Sequence, residues 1–181
     1  MPFYLKEREI LPQVGGLRSV LIVPCRFCPA ASLAVREKKP YMEPFRKFLK
    51  TEAYESFILS LKRRLEGEGI KTAVFCSRLP HQFVTCMWTS RRRRKLARLA
   101  AAFDGVVVVG CEATVETVRD AIGTADCRVI QAMETEGIMN VLPTLSFPLN
   151  ISLQVQGVTS VTVTPAEEQR EVVPAVPDSH A

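Results

Sequence analysis

Cysteine is the residue type in this sequence whose placement could do chemistry. There are six, Cys25, Cys28, Cys76, Cys86, Cys111 and Cys127, against two histidines, His81 and His180. Cys25 and Cys28 form a Cys-Arg-Phe-Cys motif bracketed by Pro24 and Pro29, which reads as a rigid ligand loop. Thiolates ligate zinc, hold iron–sulfur clusters or exchange disulfides. Cys-x-x-Cys alone separates none of these, so the positions of the other cysteines decide how much the motif means.

Those positions depend on the elements around them. Residues 19–24 (SVLIVP), 71–75 (KTAVF) and 106–109 are short apolar runs of the kind found in strands covered on both faces, and 128–132 is a fourth. Apolar residues recur at three and four over 43–66, a helix stopped by Gly67 and Gly69. Two more helices are expected: one capped by Ser90, with the stripe Leu96, Leu99, Ala100 and Phe103, and one over 114–122. Strands alternating with helices predict an α/β fold. The expected architecture is a four-stranded, mainly parallel sheet with helices on both faces, in a flavodoxin- or Rossmann-like arrangement. The alternating pattern at 151–156 and 158–164, split by Gly157, adds a C-terminal β-hairpin. The chain thus divides into an N-terminal arm (1–18), an α/β domain (19–142) that carries the six cysteines, a hairpin extension (143–164) and an acidic, proline-bearing disordered tail (165–181).

In such a sheet the loops at the carboxyl ends of the strands form the binding crevice. Cys25, with Cys28 three residues on, follows the first strand, Cys76 the second and Cys111 the third. Three strands therefore deliver four thiols to one edge, the ligand count of a structural zinc or an iron–sulfur cluster. Cys86 lies on the same side, as a substitute ligand or an exposed thiol. Cys127 precedes the fourth strand, at the opposite edge, and reads as a packing thiol. Zinc favours paired Cys-x-x-Cys knuckles and only one is present, whereas iron–sulfur clusters accept scattered ligands, so the pattern leans toward Fe–S.

The charge pattern adds a surface. Lys and Arg total 24 against 19 Asp and Glu, a net +5. No acidic residue lies between Glu68 and Asp104, where Arg91, Arg92, Arg93, Arg94 and Lys95 open a helix. Cations are disfavoured at that end, so the run calls for an anion nearby and reads as a partner-docking patch. Without an aromatic stacking platform it is a poor nucleic-acid site. Trp88 reads as packing, Glu112 as a helix-start carboxylate, and 134–140 as a crevice-side stretch able to touch a partner.

Other classes lack a motif. There is no Gly-x-Gly-x-x-Gly, Walker loop or nucleophile–histidine–acid set. No apolar run approaches the roughly 18 residues of a membrane span. The start, MPFYLKEREI, is charged where a secretory leader is apolar, so a cytoplasmic location with reduced thiols is expected.

Three segments together carry a resemblance: Cys-Arg-Phe-Cys-Pro-Ala-Ala after an apolar strand, Phe-Cys-Ser-Arg-Leu-Pro-His-Gln-Phe-Val, and Gly-Val-Val-Val-Val-Gly-Cys. Over about residues 18–125 the chain resembles, as a divergent member, the iron–sulfur delta subunit of methyl-viologen-reducing hydrogenases. That resemblance implies a [2Fe–2S] cluster on Cys25, Cys28, Cys76 and Cys111. It also implies anaerobic electron relay between hydrogenase or formate dehydrogenase and heterodisulfide-reductase-type flavoproteins, by a subunit not itself an enzyme. Ser77 and the stretch from Leu79 to Val84 match the family in kind. The family usually carries a further cysteine and histidine where this chain has Glu112-Ala-Thr-Val-Glu-Thr. Two alternatives remain beside this expectation: a structural zinc module that recruits a partner, and a dithiol protein using Cys25 and Cys28.

Overall fold

The structure is a computed structural model, and it describes residues 2–42, 51–76, 84–123, 127–146 and 150–160. Its centre is a four-stranded parallel sheet. β2 (Ser19–Pro24) and β4 (Gly105–Val109) occupy the middle, with β3 (Lys71–Val74) beside β2 and β5 (Arg128–Gln131) beside β4. The other three described strands form a second, antiparallel sheet: β1 (Phe3–Glu7) pairs with β6 (Met133–Ser146), which pairs in turn with β7 (Asn150–Ser160). The expected α/β class, parallel sheet and C-terminal hairpin are all present.

Burial explains why the central strands are unbroken apolar runs. Val20 and Ile22 of β2, with Val107 and Val109 of β4, enter one core cluster, while Leu21, Val23, Val106 and Val108 enter another. Helices α2 (Cys28–Arg36) and α3 (Glu52–Gly67) supply the first cluster, together with the short α1 (Leu11–Val14) and Leu5, Met133 and Met139 of the antiparallel sheet. Helices α4 (Ser90–Ala100) and α5 (Glu112–Ile122) supply the second through Leu96, Ala100, Val115, Val118 and Ile122. A strand covered on both faces has no solvent side on which to place a polar residue.

Several elements differ from the sequence reading. The first residues are not a free arm: they form β1, bound to β6. The Cys-x-x-Cys is not wholly a loop, because Cys28 opens α2 and Pro29 occupies its first turn, where a missing N–H costs nothing. Ser90 is the first residue of α4, and Thr89 takes the cap position. The hairpin is larger than expected. The two halves read around Gly157 are one continuous strand, β7, and its partner β6 begins at Met133. Gly157 pairs with Asn140 beside a register shift, a bulge position suited to glycine. The acidic tail, and the 43–50 part of the predicted long helix, lie outside the described residues.

Candidate functional site

Sheet topology fixes where the site is. β3 and β5 lie on opposite sides of the central β2–β4 pair, so the chain reverses direction across the sheet between β2 and β4. The carboxyl ends of those two strands border the crevice that such a switch creates. Cys25 leaves β2 there, its N–H donating to the Val109 carbonyl at 2.9 Å. Cys28 follows at the head of α2, and Cys111 caps α5 after β4. All three are buried.

The Cys28 and Cys111 thiols act on each other's protonation. That interaction, burial and the charges of Cys111 and Cys25 raise the Cys28 thiol well above its ordinary range. The same interaction lowers Cys111 despite its burial, with help from the Thr114 N–H and hydroxyl and the Ala113 N–H. Cys111 stands at a helix N-terminus, where negative charge on its sulfur is stabilised. Gly110 makes the geometry possible. A Cβ there would lie 2.6 Å from the Thr114 side chain, whose hydroxyl stands 3.7 Å from the Cys111 sulfur.

Other elements hold the Cys-x-x-Cys in place. A hydrogen bond from the Phe3 backbone in β1 reaches Cys28. The Ser32 hydroxyl lies 2.9 Å from the Cys28 carbonyl and 3.1 Å from the Phe3 carbonyl, and accepts from the Leu5 N–H at 2.9 Å. Arg26, inside the motif, pairs with Glu55 of α3, and its guanidinium lies 5.7 Å from the centre of the Tyr54 ring. Tyr54 is 1% exposed, and its hydroxyl has no hydrogen-bond partner among the described residues. Burial first, then the charge of Cys25, raises that phenol well above its ordinary range, against a smaller opposing pull from Arg26. Tyr41 is similar: burial above all pushes it up to about 12.

The remaining cysteines are placed differently. Cys76 follows β3 as expected and is exposed. Its carbonyl accepts from Arg92 Nη2 at 2.6 Å. Cys86, in the 3₁₀ turn Thr85–Met87, is exposed at the residue level. Partial burial, then the charges of Cys25 and Cys111, raise its thiol. Cys127 is half-buried, before β5 and packed against the second cluster. Among the described residues, no group of three or more His, Cys, Asp and Glu side chains is arranged to hold a metal ion. The chemistry of the donors, three buried cysteines at one edge of the sheet, fits a thiolate-bound group. His81, Ser77 and the stretch from Leu79 to Phe83 lie outside the described residues, as does His180.

One residue leaves the docking patch. Arg92 is buried, its guanidinium 4.2 Å from the centre of the Phe75 ring and 5.2 Å from that of Trp88, because it sits one turn before Leu96 and Ala100 on the buried stripe of α4. Arg91, Arg94, Lys95 and Arg98 are exposed, and Arg93 is half-buried. Trp88 packs at 5.2 Å on Phe75, as a core residue. Glu112 serves the fold: it accepts from Gln131 Nε2, the Thr135 N–H and the Thr135 hydroxyl, joining α5 to β6. In 134–140, Glu134 and Glu136 pair with Lys6 and Arg36.

Sequence reasoning missed Arg26, Glu55, Tyr54, Thr114 and Ser32. Arg26 carried a signal, a cation inside a candidate ligand motif. Tyr54 carried a weaker one, falling on the buried side of α3 between Ala53 and Ile58. No described helix is long and apolar enough to cross a membrane. No family model matches the chain, and no curated protein or solved structure matches it significantly.

Proposed function

We propose that the chain is an electron-carrying component of a larger oxidoreductase assembly. It would hold a [2Fe–2S] cluster on Cys25, Cys28, Cys111 and Cys76, with Cys86 able to stand in for Cys76. The observation that carries this reading is that Cys25, Cys28 and Cys111, from two segments far apart in sequence, are all buried at the carboxyl edge of the sheet, where its strand order reverses. Such a group supplies one-electron transfer, at a potential governed by hydrogen bonds to its sulfurs and by burial. The chain's own residues do the rest. The Thr114 and Ala113 N–H groups favour a thiolate at Cys111. Arg26 and Glu55 fix the Cys25–Cys28 segment to α3. The exposed Arg91, Arg94, Lys95 and Arg98 present positive charge to an acidic partner surface, which favours rapid, oriented association. The likeness of the three cysteine segments to the hydrogenase delta-subunit family supports the same assignment.

Protein purified without oxygen is expected to be brown and to carry about two iron atoms per chain. Cys28→Ser and Cys111→Ser should each lose most of that iron while far-ultraviolet circular dichroism stays native. Colourless wild-type protein holding one zinc, with no electron paramagnetic resonance signal on reduction, would replace this reading with the zinc module.

A second reading rests on the Cys28–Cys111 interaction. As a dithiol, this pair rather than Cys25 and Cys28 would pass two electrons and two protons to a disulfide substrate, closing a Cys28–Cys111 disulfide. The burial of both sulfurs opposes substrate access. Disulfide reduction that survives in Cys76→Ser but not in Cys111→Ser, in metal-free protein, would favour it.

A further inference from the structure

Tyr54 combines three properties that packing alone does not explain. It is 1% exposed, its hydroxyl has no hydrogen-bond partner among the described residues, and it lies within electrostatic reach of Cys25. Buried hydroxyls are nearly always satisfied, because an unmade hydrogen bond in a dry interior keeps the full desolvation penalty. Phenylalanine would fill the same space without that penalty. The oxygen is therefore either a standing defect or a donor whose acceptor arrives with a ligand.

The surroundings favour the second. Tyr54 and Glu55 form the first turn of α3, and both engage Arg26, inside the Cys-x-x-Cys motif. The turn that delivers the hydroxyl is thus clamped to the segment that delivers the sulfurs. Tyr54 shares its core cluster with Cys28 and Cys111. A phenol raised by burial stays protonated and so keeps an O–H to donate. A metal-bound thiolate, or a sulfide of a cluster, is an acceptor rich in electron density and short of donors.

We propose that the Tyr54 hydroxyl donates a hydrogen bond to the sulfur of a metal–thiolate group held at Cys25, making Tyr54 a positioning residue that tunes the bound metal. This rests on the reading of the cysteines as metal ligands and adds a residue outside the cysteine set.

The test compares wild type with Tyr54→Phe as full-length, oxygen-free protein, metal-free and titrated with cobalt(II). A structural tyrosine and a ligand-facing one give opposite signs. Without metal, Tyr54→Phe should melt at the wild-type temperature or above it, since the substitution removes an unsatisfied group. With cobalt, it should bind about tenfold more weakly, the usual scale for a partner of a metal ligand. Its thiolate-to-cobalt charge-transfer band should also move to longer wavelength, because a sulfur that loses a hydrogen bond gives up electrons more easily. In iron-reconstituted protein the reduction midpoint should fall. An unmoved band with unchanged affinity overturns the proposal, as does a variant that is destabilised without metal. Wild type that shows no cobalt–thiolate band also overturns it. Wild type that binds cobalt through its thiolates but assembles no iron–sulfur chromophore overturns the electron-transfer reading instead, and the shift between the two cobalt spectra then decides the role of Tyr54.

Discussion

Arg92 and Arg94 stand two residues apart in an unbroken run of four arginines, and the fold gives them opposite surroundings. Arg94 is exposed. Arg92 is buried over Phe75 and Trp88 and holds the Cys76 carbonyl, so the segment leading to a proposed ligand is fixed by one member of the charge run. Arg92→Met should therefore destabilise the protein by about 2 kcal/mol, combining a lost hydrogen bond from a charged donor with a lost cation–π contact. Arg94→Met should stay within about 0.5 kcal/mol of wild type. Urea unfolding of both variants checks this, and equal midpoints would refute it. Sequence could have distinguished them, because 92, 96 and 100 fall on one helical stripe. The uniformity of the run hides that phase. The cysteines were legible for the opposite reason: strand ends are marked by apolar runs, and Cys25, Cys76 and Cys111 stand directly at or just past them. The Cys28–Cys111 interaction was not legible, since it depends on α2 beginning at Cys28.

Element by element, the parallel core was the easiest part to anticipate. Runs such as SVLIVP and GVVVV have one stable use, a strand with apolar neighbours on both faces. The antiparallel sheet was harder, for two local reasons. β1 is short and half polar, so its pattern reads as an arm until β6 is there to pair with it. Gly157 looks like a turn, yet it sits within β7 at the bulge, while the close approach falls at Gly137. A Cβ on Gly137 would collide with the Thr159 backbone carbonyl across the β6–β7 pair, whereas nothing lies near Gly157. Gly137→Val should cost about 2 kcal/mol from overpacking against an unyielding strand. Gly157→Ala, with open space around it, should change stability by less than about 0.5 kcal/mol. Thermal denaturation of the two variants orders them, and a Gly157 variant as unstable as the Gly137 variant would contradict this difference in packing.

At the scale of the molecule the two edges of the parallel sheet have separate duties. The carboxyl edge gathers thiols. The amino edge is fastened by Asp104, whose carboxylate accepts from the Arg18 and Ser19 N–H groups, each at 2.9 Å, and from the Ser19 hydroxyl at 3.0 Å. The Arg18 N–H, followed by the Ser19 hydroxyl, holds this carboxyl below its ordinary range against slight desolvation. A carboxyl lowered on folding binds its proton more readily in the unfolded chain. Its contribution is therefore present above about pH 4 and is lost as pH falls through the folded-state value. Asp104→Asn should be less stable near neutrality and should lose less than wild type on acidification from about pH 5 to about pH 3. Urea midpoints at the two pH values measure the difference, and parallel losses would exclude Asp104 as a contributor to the acid limb.

The pairing of β1 with β6 also sets an order of events. Phe3 and Leu5 help fix Cys28 and Ser32, but β1 docks in register with a strand that begins at Met133, with most of the chain between them. Contacts that span so much sequence form late, because the intervening loop must close before they repay its entropy. On a growing chain, the Cys-x-x-Cys therefore emerges from the ribosome long before its last wall can be built. The segment stays uncovered on that side until β6 arrives, so the interval in which its thiols are open to oxidation is written into the order of the strands.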